Sequence, residues 1–198
     1  MEAQSRLLCF ILGGQFCALP AESVSEILPM AWLSRPPGLP SILKGFLNLR
    51  GSAVPVLRTA RLFGLPEPSL GPYTPLLIAR GRSHPLGLLV EAATSMASVP
   101  GPLLPVPEDC LFNECAEGIT PGEEPVCVLC LERLLLAEER RRILELQALE
   151  QERLEALIKE TPATLRGLSG EKEPFHQETP ATLRELSGEK EPFIEEGP

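Results

Sequence analysis

The sequence predicts a mainly β fold, and two observations support this prediction. The first is its high content of turn-forming residues, with 22 prolines and 16 glycines among 198 residues, where the pair normally makes up about 12% of a chain. The second is a series of short apolar runs across residues 5–131, separated by Gly, Pro, Ser or Asn. So many helix breakers exclude an all-helical bundle for most of the chain. Short apolar runs between turn residues are typical of strands in barrels or sandwiches.

Short strands are expected along the whole of this apolar region. They cover residues 7–12, 15–19, 45–49, 53–57, 75–79, 86–90, 96–99 and 126–131. The pair Gly13-Gly14 predicts a tight hairpin between the first two strands. Two helices are predicted between the strands, one over 21–28 and a short one over 59–63, each followed by glycine or proline.

The last third of the chain differs in charge and composition from the rest. Residues 1–131 carry a net charge of −3 and residues 132–198 a net charge of −6. Residues 132–159 contain no Gly or Pro and predict one long helix. We expect its first turns to pack on the β domain and the rest to be solvated, with a coiled coil to another chain as the alternative. Its apolar stripe consists of Leu136, Ile143, Leu146, Leu154 and Leu157, with Glu150 in a position where another apolar residue would fit.

Residues 160–198 contain a duplicated segment. Residues 160–175 read ETPATLRGLSGEKEPF, and residues 178–193 repeat them with Glu185 in place of Gly167. This polar, acidic composition predicts a disordered tail. The alternative is a bivalent docking motif for an unknown protein, in which the apolar residues enter a groove of the partner. Those residues are Leu165, Leu168 and Phe175 in the first copy and Leu183, Leu186 and Phe193 in the second.

The composition also excludes several function classes. A net charge of −9 leaves no broad basic surface for nucleic-acid phosphates. The chain has only two histidines and one aspartate, residue types on which acid–base catalysis and metal ligation depend. We therefore predict no enzymatic activity, no catalytic residue and no cofactor. The apolar run at 7–12 is too short for a signal peptide and no run is long enough to span a membrane, so we expect a cytoplasmic protein.

The cysteines offer an alternative function as a small metal- or thiol-based redox protein. Cys127 and Cys130 form a C-x-x-C motif. In a strand, however, residues three apart point to opposite faces, so the two thiols would diverge. The apolar run around them predicts such a strand. Buried structural thiols in a reducing compartment, with no metal site, are therefore the favoured interpretation.

The most informative stretch is residues 45–57, GFLNLRGSAVPVL. It predicts a β-hairpin in which residues 48–52 form a polar turn between two apolar strands. Gly51 allows backbone conformations that other residues avoid. Arg50 is left projecting from the turn, where a guanidinium suits a carboxylate or carbonyl group on a partner.

This hairpin is part of a wider similarity, because residues 6–136 resemble the CheW family of bacterial chemotaxis coupling proteins. The matching stretches occur in order, and N-L-R-G…P-V at 48–56 is the most specific of them. They read FILGGQFCALP, ESVSEIL, GFLNLRGSAVPVL, HPLGLLVEAATSMASVP and VCVLCLERLL. The resemblance implies two intertwined five-stranded β-barrel subdomains with a groove between them, over residues 5–136. Residues 137–159 would then be a C-terminal charged helix, and residues 160–198 the tail.

The resemblance also implies a function without catalysis. A protein of this family would bridge the cytoplasmic tip of a methyl-accepting chemotaxis receptor to the regulatory domain of a CheA-type histidine kinase. By position, it implies partner-binding roles for Val24, Glu26, Asn48, Leu49, Arg50, Gly51 and Glu91. From their residue types alone, Val24 could equally be a core residue, and Glu26 and Glu91 solvated ones.

Two positions depart from the pattern of the family. Arg58 stands where the family usually has an acidic residue after the P-V pair. Cys130 stands where an aspartate is usual near the closing strand. The charge reversal at Arg58 would change either a contact within the turn or a contact with a partner.

Overall fold

A computed structural model describes residues 5–81, 84–99, 101–122 and 124–160. These residues belong to the first of two units, 1–160 and 161–198, so the predicted repeats lie outside the described part of the chain. The strands are β1 (Ser5–Leu12), β2 (Gln15–Pro20), β3 (Val24–Pro29), β4 (Leu33–Ser34), β5 (Leu43–Leu49), β6 (Ser52–Leu57), β7 (Pro75–Arg80), β8 (Pro85–Leu89), β9 (Ala92–Val99), β10 (Ala116–Ile119) and β11 (Cys127–Leu129). The helices are α1 (Thr59–Leu62) and α2 (Ala137–Glu160), with 3₁₀ turns at Ala21–Ser23, Asn113–Cys115 and Leu131–Arg133.

The strands form two sheets, and the chain passes from one to the other twice. The first sheet has the order β10-β11-β2-β1-β9, and the second β3-β7-β8-β6-β5-β4. The chain thus begins in the first sheet, builds all of the second, and returns to complete the first. The mainly β prediction is confirmed. The second sheet has six strands where five were expected, because the two-residue strand β4 adds to its edge.

An apolar core lies between the two sheets, and each sheet adds a smaller cluster. The large core contains Phe10 and Leu12 from the first sheet and Leu57 and Leu77 from the second. Helix α2 contributes Ile143 to the same core. Burying a side chain of this size stabilises the fold by about 1.5–3 kcal/mol. The two sheets and the first half of α2 therefore share one core.

The helix predicted over residues 21–28 is wrong. Only Ala21–Ser23 forms a 3₁₀ turn, and Val24–Pro29 is the strand β3, paired with β7. The residues of β3 alternate between half-buried and exposed, and this two-residue period is that of a strand and not of a helix. The segment contains the β-branched residues Val24 and Ile27, and pairing with a buried strand outweighs its weak local preference.

Besides β3, two strands were missed, and the strand predicted over 126–131 is shorter, since β11 covers only Cys127–Leu129 and leaves Cys130 just after it. Strand β4 is too short to leave a pattern, and β10 has Glu117 and Gly118 in its centre, which interrupt the apolar run. Strand β9 covers Ala92–Val99 instead of 96–99, since most of its residues are small or polar. The approach of β4 to β5 depends on Gly45, where an added Cβ would lie 2.5 Å from the carbonyl oxygen of Ser34.

The two remaining predicted helices are present, with small shifts of their ends. The helix predicted over 59–63 is α1. The helix predicted over 132–159 begins later, because Leu131–Arg133 forms a 3₁₀ turn first. Ile143, Leu146 and Glu150 of α2 are buried, whereas Leu157 is 61% exposed. Packing on the sheets therefore extends past the middle of the helix, and the coiled coil stays an untested alternative.

Candidate functional site

The turn between β5 and β6 has an unusual backbone. Leu49 pairs with Ser52, leaving Arg50 and Gly51 as the two turn residues. Their φ angles are +53° and +89°, both in the left-handed region that two-residue hairpins require. Among the described residues, Arg50 is the only non-glycine with a positive φ. The side chain of Asn48 steadies the turn, since its Oδ1 accepts a 2.9 Å hydrogen bond from the Gly51 N–H.

An ion pair links this turn to the edge of the second sheet. Arg50 Nη2 donates to Glu26 Oε2 at 3.2 Å, across 24 residues of sequence. The Arg50 side chain is 81% exposed, whereas that of Glu26 is 27% exposed. An ion pair this open to solvent contributes little to stability. It orients the guanidinium, and its planar fork still offers donors to a carboxylate or carbonyl group outside the chain.

A β-bulge sets the direction of Glu26. In the pairing of β3 with β7 the register shifts between Val24 and Glu26, so Ser25 is the extra residue. Ser25 Oγ donates a 2.8 Å hydrogen bond to the carbonyl oxygen of Ile78, which holds the bulge in place. Bulges of this kind redirect a neighbouring side chain. Here the neighbour is the carboxylate that meets Arg50.

Of the seven residues predicted to bind partners, the structure brings four together. Glu26, Asn48, Arg50 and Gly51 meet at the turn, as described above. Val24 packs against the core between the sheets and Leu49 against the cluster of the second sheet, so both have structural contacts.

Glu91 lies apart from these four residues. Its exposed Oε2 accepts a hydrogen bond from the Gly14 N–H at 3.0 Å, and its own N–H donates to the carbonyl oxygen of Ile11. These contacts place Glu91 at the turn between β1 and β2 in the first sheet. Within the described part of the chain, Glu91 forms no hydrogen bond or ion pair with the β5–β6 turn.

The family model of the CheW-like domain matches residues 6–139 of this chain. The chain belongs to the CheW-like family. The probable chemotaxis protein CheW of Rhizobium etli is 27% identical over 142 residues, which cover 70% of this chain and 92% of that protein. The chemotaxis protein CheW of Klebsiella aerogenes is 26% identical over 136 residues, or 67% of this chain and 82% of that protein.

A solved structure shows the same fold. The crystal structure of the scaffolding protein TtCheW from Thermoanaerobacter tengcongensis matches with a TM-score of 0.63 and 20% sequence identity. The match covers 70% of this chain and 92% of that one. CheW-like proteins are non-catalytic scaffolds, and the chain is accordingly a chemotaxis-type scaffold and not an enzyme. The CheW-like match ends near the start of α2, most of which lies beyond it.

Arg58, which the resemblance places where an acidic residue is expected, has a partner within the chain. Arg58 Nε and Nη2 each lie 2.9 Å from Glu67 Oε2, and Arg61 lies 3.5 Å from the same carboxylate. Nearby, burial and the positive charges of Arg58 and Arg35 lower the pKa of Lys44. The charge of Arg58 is thus compensated within the chain by a residue nine positions further on.

The six cysteines are free thiols with different neighbours. The Cys127 thiol lies beside Cys110, and Cys130 Sγ donates to Glu132 Oε2 at 3.3 Å. Burial is the main cause that raises the pKa of Cys17, and it raises that of Cys127 to about 12. Thiol nucleophiles and metal ligands react as thiolates, which such pKa values make scarce. Reaction as a thiolate, which the thiol-redox alternative requires, is therefore disfavoured at Cys127.

The described part of the chain holds no group of three or more His, Cys, Asp or Glu residues that could bind a metal ion. Over the same residues, none of the helices has the length and apolar character needed to cross a membrane.

Sequence reasoning missed an exposed aromatic residue near the turn. Trp32, the single tryptophan of the chain, is 92% exposed between β3 and β4. It lines a groove of about 370 Å³ together with Asn48 of the turn and Leu154 and Leu157 of α2. The sequence did contain a feature that could have predicted this exposure. Trp32 lies in a segment with prolines on both sides, where no strand or helix is expected to bury a large aromatic side chain.

Proposed function

We propose that this chain is a coupling scaffold that joins a methyl-accepting chemotaxis receptor to a CheA-type histidine kinase in chemotaxis or motility signalling. The observation that carries the proposal is the β5–β6 turn. An arginine held in a left-handed backbone conformation, with most of its side chain in solvent, costs stability without burying apolar surface. Such a cost is typical of residues kept for contacts outside their own chain.

The proposed mechanism is geometric. The receptor tip is a helical segment that would lie in the groove between the two subdomains, with Arg50 setting its register through a carboxylate or carbonyl group. The kinase regulatory domain would pair with an apolar surface of one subdomain. If the receptor contacts the scaffold better when the kinase is in one of its conformations, a change in the receptor would then shift the kinase toward that conformation. In this proposal the scaffold acts in the cytoplasm, at receptor arrays on the inner face of the membrane.

The proposal is tested by reversing the charge of the turn. Arg50→Glu removes the donor and places a second carboxylate beside Glu26. In co-sedimentation with receptor-bearing membranes and the kinase, we expect it to lower scaffold recovery by about tenfold, a binding change of about 1.4 kcal/mol.

The matched control is Arg80→Glu, an equally drastic change at another exposed arginine. We expect this variant to co-sediment like the unmodified protein. Equal recovery of the unmodified protein and Arg50→Glu would contradict the proposed role of the turn.

The tail repeats carry a separate proposal, based on sequence alone. Two nearly identical segments on one chain would raise the avidity for a protein that binds each weakly. Deleting residues 160–198 is expected to abolish one interaction in a pull-down and to leave recovery of the receptor and kinase unchanged. Survival of every interaction would show that the tail only increases solubility.

A further inference from the structure

Two glutamines of α2 bind the backbone of the strand that follows the β5–β6 turn. Gln151 Oε1 accepts a hydrogen bond from the Ala53 N–H at 2.8 Å, and Gln147 Nε2 donates to the Ala53 carbonyl oxygen at 2.8 Å. Gln151 Nε2 also donates to the carbonyl oxygen of Gly51 at 3.0 Å. We call these three hydrogen bonds the glutamine clasp. The two side chains stand four residues apart and therefore share one face of the helix.

The clasp satisfies backbone groups that the sheet leaves unpaired. In an antiparallel hairpin, residue pairs alternate between bonded and non-bonded, and the pair next to the closing one is non-bonded. The closing pair is Leu49 with Ser52, so the N–H and carbonyl of Ala53 point away from β5. On the other side, β8 pairs with β6 only at Val56 and Leu57. Gln147 and Gln151 thus take the place of a missing strand along the first part of β6.

Helix α2 is anchored firmly enough to hold this position. Ile143 and Leu146 are buried in the core between the sheets. Glu150, on the same face, is 4% exposed, and its Oε2 accepts a 2.6 Å hydrogen bond from Ser34 Oγ of β4. The helix is therefore tied to β6 within the hairpin and to β4 beside β5. This explains the carboxylate that interrupts its apolar stripe.

The clasp reaches the turn itself. The Gly51 carbonyl that Gln151 binds follows directly after Arg50, and the Gly51 N–H is bound by Asn48. Two side chains from different parts of the chain thus hold the two peptide groups that flank the Cα of Gly51, the residue after Arg50. Because Arg50 has a strained backbone, fixing its neighbour holds the backbone conformation that sets the direction in which the Arg50 side chain leaves the turn.

We propose that Gln147 and Gln151 are positioning residues for partner binding, acting through the turn that presents Arg50. This inference rests on the proposed function, because it concerns the same surface. It assigns a role to a part of α2 that lies outside the CheW-like match. The clasp also closes the free edge of β6, so a partner binds the turn by side-chain contacts and does not add a strand there.

The direct test compares three alanine variants of α2. Gln151→Ala removes two of the three clasp bonds, those to the Ala53 N–H and the Gly51 carbonyl, and leaves the bond from Gln147 to the Ala53 carbonyl. Glu155→Ala removes the other hydrogen bond of Gln151, to Glu155 Oε1 at 3.2 Å, and Glu152→Ala changes an exposed neighbour. By NMR hydrogen exchange, we expect the Ala53 amide to exchange about tenfold faster or more in Gln151→Ala. We expect no such change in either control.

Measuring partner binding distinguishes a positioning role of Gln151 from a general contribution to the stability of the fold. We expect Gln151→Ala to weaken binding of the receptor and kinase about fivefold, and to have no further effect in an Arg50→Ala background. Coupling of this kind shows that the glutamine acts through Arg50. Additive losses in the double variant, or unchanged binding in Gln151→Ala, would overturn the inference.

If Gln151→Ala folds poorly, a more conservative variant can test the same inference. Gln151→Glu retains the acceptor for the Ala53 N–H but replaces the donor to the Gly51 carbonyl with a second oxygen. It should protect Ala53 from exchange and still weaken binding. If Arg50→Ala leaves binding intact, the proposed function fails. If Arg50→Ala weakens binding and neither Gln151 variant does, only the present inference fails.

Discussion

At the scale of single residues, Arg50 combines two properties that rarely occur together. It adopts a left-handed backbone, which costs a non-glycine residue about 1–2 kcal/mol, and its side chain is largely in solvent. Glycine would fit this φ angle without that cost. The arginine is therefore explained by its guanidinium and not by the needs of the turn.

Replacing Arg50 by glycine separates these two properties. Relief of the backbone strain offsets the roughly 0.5–1 kcal/mol that glycine costs through the unfolded chain. We expect the free energy of unfolding of Arg50→Gly, from urea titration, to stay within about 1 kcal/mol of the unmodified value. Partner binding should nevertheless be lost. A stable variant with normal binding would show that the side chain is dispensable.

The buried thiols predict a pH dependence of stability. Burial raises the pKa of Cys127 from 9.0 to about 12. As the pH rises from 9 towards 12, the unfolded chain loses this proton while the folded chain retains it, so the free energy of unfolding falls. Cys127→Val should make this fall less steep above about pH 9, as measured by urea unfolding. Parallel curves for the two proteins would contradict the assignment.

At the scale of secondary-structure elements, the local sequence pattern predicted correctly the elements whose intrinsic conformational preference agrees with the way they pack in the fold. Gly13-Gly14 forms the expected turn, with both φ angles positive, and the long run without Gly or Pro forms α2. The pattern was wrong for β3, where the decisive contact is with β7, about 50 residues further along the chain. Short segments of this kind are decided by tertiary pairing.

The two ends of α2 are predicted to differ in their contribution to stability. Leu146 is 5% exposed in the core between the sheets, whereas Leu157 is 61% exposed. We expect Leu146→Ala to lower the free energy of unfolding by about 2–5 kcal/mol, and Leu157→Ala by about 0.5 kcal/mol or less. Urea titration of the two variants measures the difference. Equal effects would mean that the far end of the helix also packs.

At the scale of the whole molecule, the candidate site depends on contacts between distant parts of the chain. The turn was predictable from residues 45–57, because Asn48 and Gly51 are local turn-forming residues. The ion pair with Glu26 was not, since Glu26 lay in a segment predicted as a helix. The clasp spans 98 residues between Ala53 and Gln151. The two-sheet arrangement followed from the family resemblance, because periodicity does not reveal which strands pair.

The central claim is that the β5–β6 turn contacts the signalling partners directly. Its most direct test is site-specific photocrosslinking in a reconstituted mixture of receptor, kinase and scaffold. A benzophenone amino acid would replace Ser52, an exposed residue beside the turn, or Tyr73, which is 88% exposed in the loop before β7. The account predicts crosslinks to the receptor or kinase from position 52 and few from position 73. Absence of crosslinks from position 52, with the assembly otherwise formed, would contradict it.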